Sequence, residues 1–332
     1  DSLIKNSVRV GVIKYKNMYD PRNIFEIKKY IVNGNYDIVH SHIFPTQYWV
    51  ALSRLILRNK NVKFITTEHS THNRRREKFY FRLIDRFIYS RYDVIISITE
   101  KTRDNLISWI DPKRKKTDKH VVVENGVDIE KIRKALPYNK TDLAEGIDEG
   151  TKMVCMVGRF SEAKDQPTLI KAISSLPDDI HLVLVGEGPL LDKNKANINA
   201  LGLANRVHFL GFRHDIPRIL KTVDIVVLSS HWEGLSLSCI EGMASGRPFI
   251  ASKVNGLEEI VEGAGVLFEQ GDYKSLATII SNILDNNSFS NCISSRCLLR
   301  AEKFSIDNVS ANLLGVYNQI ISSRQRGEGK WN

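Results

Sequence analysis

Two glutamates eight residues apart stand in the segment Ser229-Ser230-His231-Trp232-Glu233-Gly234-Leu235-Ser236-Leu237-Ser238-Cys239-Ile240-Glu241-Gly242. The apolar run before it, Asp224–Leu228, reads as a buried parallel strand, and Gly246 and Pro248 stop the short helix that follows. Unpaired amides at the start of that helix, from about Leu235 to Cys239, suit a phosphate. A carboxylate repels a phosphate, so Glu233 and Glu241 are expected to accept hydrogen bonds from hydroxyl groups on either side of it. A phosphate flanked by hydroxyls has the outline of a nucleotide sugar. Glu241 has a second reading, because Ser238-x-x-Glu241 matches a capping box in which the carboxylate reaches back to the cap amide. Glu233 has no comparable helical role and is the stronger candidate for chemistry.

Two cations share an earlier loop, Gly158-Arg159-Phe160-Ser161-Glu162-Ala163-Lys164-Asp165. Arg159 offers a fork of donors and Lys164 a point charge, a combination that neutralises a diphosphate. A plain surface pair, Lys164 with Glu162, is the alternative; the Glu233 loop opposite favours a site. Gly186-Glu187-Gly188-Pro189 reads as a tight turn, with Gly188 leaving room for a ligand. Leu191 stands where a dinucleotide fingerprint needs its third glycine, so NAD binding is not supported. Gly211-Phe212-Arg213 closes another strand. Ligands bind beyond the carboxyl ends of strands in open α/β sheets, and four such ends here are polar or Gly-rich. His40, His42, His69 and His72 cluster after two strands of the first half. Their spacings match no zinc pattern, so they read as a polar rim and no metal is expected. No Asp-x-Asp occurs, which argues against a divalent clamp on a diphosphate.

Short β-branched runs must position these groups. Strands are expected at Val8–Ile13, Asp37–His40, Val62–Thr66, Val94–Ile98, Val121–Glu124, Met153–Val157, Leu182–Val185, Val207–Leu210, Ile225–Leu228, Pro248–Ala251 and Gly265–Leu267. Helices are expected between them, among others at Asn23–Val32, Tyr48–Leu57, Lys78–Tyr89, Gln166–Ser174, Gly188–Leu201 and Lys274–Leu284. The alternation predicts an α/β protein with parallel sheets covered on both faces, Rossmann-like in each half. Pro137, Asn139 and Gly146 place a linker at 136–150, between a first domain at 1–135 and a second at 151–316. The last helix end and a tail fill 317–332.

The 332 residues, 42% hydrophobic, are enough for two domains. No apolar run is long enough to span a membrane, and the opening residues lack a signal-peptide core. Cys155, Cys239, Cys292 and Cys297 show no paired spacing and read as reduced thiols of a cytoplasmic protein. Residues 1–150 hold 29 Lys/Arg against 19 Asp/Glu, whereas 151–332 hold 19 of each, so the +10 charge lies in the first half. Its densest stretch, Arg74 to Arg91, interleaves Arg with aromatics. No nucleic-acid motif accompanies it, which leaves a solvated helix face or an anionic membrane surface.

In combination these residues resemble the retaining glycosyltransferases of family GT4, which have the GT-B fold. The resemblance runs from about Val8 to Tyr317 through Tyr36-Asp37-Ile38-Val39-His40-Ser41-His42, Thr66-Thr67-Glu68-His69, Val123-Glu124-Asn125-Gly126-Val127-Asp128, Val157-Gly158-Arg159-Phe160 with Lys164, Val185-Gly186-Glu187-Gly188-Pro189, Leu210-Gly211-Phe212 and Glu233-x7-Glu241. It implies two Rossmann-like domains facing across a cleft, with a nucleotide sugar held mainly by the second. Arg159 and Lys164 would bind the donor diphosphate beside Gly158 and Gly188. Glu233 would meet the transferred sugar, and Gly234, Leu235 and Ser236 would lie near sugar and phosphate. Glu241 would hold the ribose, and Gly211, Phe212 and Arg213 would lie by the base. His69 would stand near the sugar or acceptor, with His42 and Asn125 on the acceptor side. The implied reaction is metal-independent hexosyl transfer with retention, from a UDP-sugar in preference to other nucleotides, to a glycan or lipid-linked acceptor. The alternatives are an epimerase or phosphorylase of the same fold, or a non-catalytic nucleotide-sugar-binding fragment. The resemblance also implies an opening strand, Gly-rich loop, helix and strand, roughly 60 residues at ordinary βαβ size. This sequence does not contain them, so the first domain is expected to be incomplete. The acceptor class implies a cytoplasmic protein peripheral to the inner face of the plasma membrane. The segment Phe304 to Tyr317 resembles the one that packs the family's last helix back onto the first domain.

Overall fold

Strands alternate with helices throughout the computed structural model, which describes residues 8–15, 17–58, 61–69, 74–113 and 118–325. The chain divides into two units: one takes the chain up to Glu124 together with the chain from Ala311, the other Asn125–Ser310.

The first unit holds a parallel sheet in the order β1 (Ile38–His42), β2 (Lys63–Glu68), β3 (Val94–Ser97), β4 (His120–Val122). Its core is aliphatic and aromatic, with Phe64, Ile95 and Leu106 sealed among Ile27, Tyr48 and Tyr89. Every residue of β3 is buried, as expected of a parallel strand covered on both faces. Val8–Ile13, expected as a strand, joins no ladder. It lies beside the helix Asn23–Gly34, where the Tyr30 ring sits over Gly11 and the Tyr30 hydroxyl donates to the Val12 carbonyl (3.3 Å). A β-branched run needs a partner strand to become one, and here its contact is a helix.

The second unit is built on a six-stranded parallel sheet, β5 (Lys152–Val157), β6 (Ile180–Val185), β7 (Val207–Gly211), β8 (Ile225–Leu228), β9 (Phe249–Ser252) and β10 (Val266–Phe268), in the spatial order β10-β9-β8-β5-β6-β7. The order reverses between β5 and β8, so the crevice for a ligand opens beyond those two strand ends. Val154, Cys155, Leu182, Val183, Ile225 and Val227 are fully buried in one core.

The segment 136–150 is not a linker. Leu143 and Ile147, four residues apart in sequence, are buried in the second unit's core, and the Lys140 ammonium bonds the Asp224 carboxylate (2.9 Å) and the Thr151 carbonyl (2.7 Å). Its Pro, Asn and Gly shape short turns on that core. The chain passes between units at Glu124–Asn125 and again at Ser310–Ala311, within the helix Ile306–Gln325. Within the second unit, Val127 exchanges backbone hydrogen bonds with Phe304 (3.0 Å) and Ile306 (2.8 Å).

Candidate active site

The carboxyl ends of five adjacent strands are laced together by hydrogen bonds between their loops. The Gly186 amide after β6 donates to the Gly211 carbonyl ending β7 (2.8 Å), and the Phe160 amide after β5 donates to Glu187 (3.0 Å). The His231 amide after β8 donates to Ala163 (2.8 Å), and the Ser252 hydroxyl ending β9 donates to the Ser230 carbonyl (2.5 Å). These bonds give the candidate residues of β5 and β8 one frame.

At its centre the Lys164 ammonium meets Glu233 Oε1 at 2.5 Å, with the side chains only 16% and 11% exposed. The Ser230 hydroxyl donates to the same oxygen (2.7 Å). Lys164 therefore pairs with Glu233 across the switch point rather than with neighbouring Glu162. Arg159, on the same loop, is exposed and has no side-chain partner among the described residues. Its carbonyl accepts from Gln166 Nε2 (3.0 Å), which holds the loop without engaging the guanidinium. Gly158 is half-buried, and a Cβ there would touch the Lys164 stem at 3.4 Å. Gly188 packs tightly against the protein's own backbone. With φ +158, its Cβ would lie 2.3 Å from the Phe160 carbonyl, so the close neighbour is the protein's own backbone.

The helix after β8 is Leu237–Ala244, capped by Ser236 in extended conformation. Glu241 thus sits beyond the first turn, and the capping box with Ser238 is not formed. Glu241 has no hydrogen-bond partner among the described residues; burial holds its carboxyl above the usual range, against the pull of Lys131. The Cys239 amide turns back to the Ser236 carbonyl (3.1 Å), so the free amides stop at Ser238, one short of the expected set. Ser236 Oγ is buried without a partner. Gly234 and Leu235 are half-buried.

Beyond β7, Phe212 is 64% exposed, with its ring against His214. Arg213 is committed to Asp215 (Nε to Oδ1 2.8 Å), and this guanidinium, together with the Tyr138 hydroxyl, holds the Asp215 carboxyl well below its usual value. At this strand end the Phe212 ring is thus exposed, whereas the Arg213 guanidinium is engaged by Asp215.

In the first unit, His42 Nδ1 and His69 Nε2 share a hydrogen bond of 3.0 Å. The His40 ring lies tilted against His42 at 4.2 Å, with Nε2 on Thr67 Oγ1 (2.7 Å) and Nδ1 on the Tyr317 hydroxyl (2.6 Å). Burial, then His42 and His69, push His40 down to about 3; burial also lowers His42 and His69. The three rings are therefore neutral donors and acceptors near pH 7. His72 lies outside the described residues. Asn125, half-buried, falls in the second unit at the passage.

Sequence reading missed Ser230, Lys131 and Tyr317. Ser230 had a local signal, three residues before Glu233 in a tight loop. Lys131 and Tyr317 reach their partners from elements more than a hundred residues away in sequence. Among the described residues no group of three or more His, Cys, Asp or Glu could hold a metal, and no helix is long and apolar enough to cross a membrane.

Residues 139–296 match the sequence profile of Glycosyl transferases group 1, and residues 4–131 that of Glycosyltransferase Family 4. The UDP-Gal:alpha-D-GlcNAc-diphosphoundecaprenol alpha-1,3-galactosyltransferase of Escherichia coli is 29% identical over 299 residues, 84% of this chain and 74% of that protein. The lipopolysaccharide core biosynthesis mannosyltransferase LpsB of Rhizobium meliloti is 26% identical over 71% of this chain and 68% of that one. Anabaena HepE, solved with UDP and glucose, superposes with a TM-score of 0.80 at 21% identity, covering 96% of this chain and 88% of its own. At that identity the likeness carries the fold.

Proposed function

This chain belongs to the group 1, family 4 glycosyltransferases of GT-B fold, and we propose that it moves a hexose from a UDP-sugar to a glycan or lipid-linked acceptor, with retention and without a metal ion. The observation that carries the reading is the Lys164–Glu233 pair at the β5/β8 switch point, with the unpartnered Arg159 on the same loop. When a donor binds, a β-phosphate oxygen takes over Lys164, and Glu233 turns to the sugar's hydroxyls. The C1–O bond breaks with its electron pair going to the β-phosphate, where Arg159 and Lys164 stabilise the growing charge. The acceptor oxygen attacks from the same face, and its proton passes to that phosphate oxygen. Two fixed cations supply the charge that a metal would otherwise bring.

Glu241 holds the ribose. Gly158 and Gly188 shape the phosphate loop, Gly234, Leu235 and Ser236 border sugar and phosphate, and Gly211, Phe212 and Arg213 lie by the base. His69 contacts the sugar or acceptor, with His42 and Asn125 on the acceptor side. UDP is favoured because the E. coli relative is described as using UDP-Gal and HepE has been solved with UDP-glucose. The E. coli relative's diphosphoundecaprenol substrate supports a lipid-linked acceptor, and a protein that uses one would work at the inner face of the plasma membrane. The relatives named above are transferases, which displaces the epimerase, the phosphorylase and the binding fragment as readings.

A thermal-shift panel of nucleotide sugars tests the donor: at 100 times its dissociation constant a ligand adds about 2.7 kcal/mol. Release of UDP that depends on acceptor and resists EDTA is expected. Stabilisation by no nucleotide sugar, or release that needs no acceptor, would overturn the reading.

A further inference from the structure

The two oxygens of the Glu233 carboxylate are not equivalent. Among the described residues its hydrogen-bond donors are the Lys164 ammonium (2.5 Å) and the Ser230 hydroxyl (2.7 Å), and both reach Oε1. Oε2 takes no donor from those residues, and the side chain keeps 11% of its surface exposed. The two donors differ in what can draw them away. Lys164 carries a charge for which a phosphate competes, whereas the Ser230 hydroxyl is neutral and fully buried.

Ser230 is also fixed through its backbone. Its carbonyl accepts from the hydroxyl of Ser252, a fully buried residue at the end of β9 (2.5 Å). On either side of it in sequence, the Ser229 hydroxyl donates to the Asp165 carbonyl (2.8 Å) and the His231 amide to the Ala163 carbonyl (2.8 Å). Three successive residues after β8 are thus tied to the loop after β5 and to the end of β9. A side chain on such a frame can hold another in one geometry. Glu233 needs holding, because the last torsion of a glutamate is broad and roughly two-fold. Sterics alone do not choose which oxygen faces a ligand; a donor committed to one of them does.

We propose that Ser230 is a positioning residue for Glu233. Its hydroxyl keeps Oε1 after a donor phosphate has drawn Lys164 away, and so aims Oε2 at the hydroxyls of the transferred sugar. Ser230 touches no substrate and acts through Glu233 alone. The proposal rests on the reading of Glu233 as the acceptor of those hydroxyls, and it adds what orients the carboxylate once its cation is engaged elsewhere.

Titration calorimetry of the full chain with UDP, UDP-glucose, UDP-galactose and UDP-N-acetylglucosamine tests it, each sugar nucleotide being read against UDP. Ser230→Ala removes a single oxygen, and its melting temperature and UDP affinity should match the parent's. Its affinity for the UDP-sugar that the parent binds most tightly, relative to UDP, should fall roughly tenfold or more, the scale of a hydrogen bond to a charged group. Glu233→Gln should lower the same ratio. The double variant should lose no more than Glu233→Gln alone, because a neutral amide leaves no charge for Ser230 to aim. A parental ratio in Ser230→Ala beside a lowered one in Glu233→Gln would overturn this inference and leave the donor reading standing. So would losses that add in the double variant, since Ser230 would then act apart from Glu233. A fall in melting temperature with UDP affinity dropping in step would make Ser230 a packing residue and overturn it too. A parental ratio in Glu233→Gln would overturn the reading of Glu233 itself, and the inference with it.

Discussion

Lys164 and Glu233 come from loops 69 residues apart and meet with most of their surface withdrawn from water. Such a pair is costly to break from one side, because the remaining charge keeps its desolvation without its partner. Glu233→Gln keeps the shape and an acceptor for Ser230, so the protein should fold. Its turnover should fall roughly a hundredfold or more if the carboxylate supports charge in the transition state. Steady-state kinetics with saturating donor would show this as a loss in kcat, and an unchanged kcat would remove Glu233 from the chemistry. Arg159→Ala breaks no side-chain bond among the described residues. It should leave the melting temperature alone and weaken UDP binding by about 1.5–3 kcal/mol, the size of a charge-assisted hydrogen bond. Titration calorimetry reads this directly, and equal affinities would take Arg159 out of the site. Arg159, Lys164 and Glu233 were legible in the sequence as candidates, because such side chains in strand-end loops carry the same chemistry wherever the fold puts them. Their mutual position was not, since no local rule sets which of several acids a lysine will meet.

At the scale of elements, backbone contacts that exclude a side chain hold the site loops in place. Gly256, with φ +85, packs so close that a Cβ would lie 2.2 Å from the Gly234 carbonyl and 2.7 Å from that of Glu233. Gly256→Ala should therefore push the Glu233 loop outward. A stability loss of about 1–3 kcal/mol, as for overpacking, is expected with weaker donor binding. An unchanged melting temperature together with unchanged UDP affinity would show that the contact does not position the loop. The β1 end behaves as a second such element. A histidine pushed down to about 3 in the folded state, as His40 is, stays neutral while the unfolded chain takes up a proton below about 6.5. Stability is therefore unaffected above pH 6.5 and falls as the pH drops from there toward 3, by about 2 kcal/mol for this group at pH 5. Melting curves of the parent and His40→Gln at pH 7.5 and 5 check it: the variant should lose less on acidification, and parallel losses would rule His40 out as the cause. Ten of the eleven expected strands form, because buried parallel strands are continuous apolar, β-branched runs. The helix Asn287–Ala301 carries little such pattern; Ile293, Cys297 and Ala301 mark its buried line amid Ser and Asn.

For the whole molecule, the sequence by itself determined the α/β class, the charge asymmetry and the family. These rest on residue type, period and motif order, which exist before the chain folds. It also marked Glu233, Arg159 and Lys164 as a set, since glycosyl transfer needs cations for a diphosphate and acceptors for hydroxyls. Tertiary structure decided what depends on distant elements meeting. It placed Leu143 and Ile147 of the expected linker in a core, moved the passage between units to Glu124–Asn125, and returned the chain from Ala311 to the first unit. It removed the capping role of Glu241 by starting the helix at Leu237, and left that carboxylate half-buried and open to a hydroxyl. It paired Lys164 with Glu233 because the strand order reverses between β5 and β8, setting their loops side by side. Sheet order is fixed by the packing of all six strands together, and so the two carboxylates could be found in the sequence while the pairing of Glu233 with Lys164 could not.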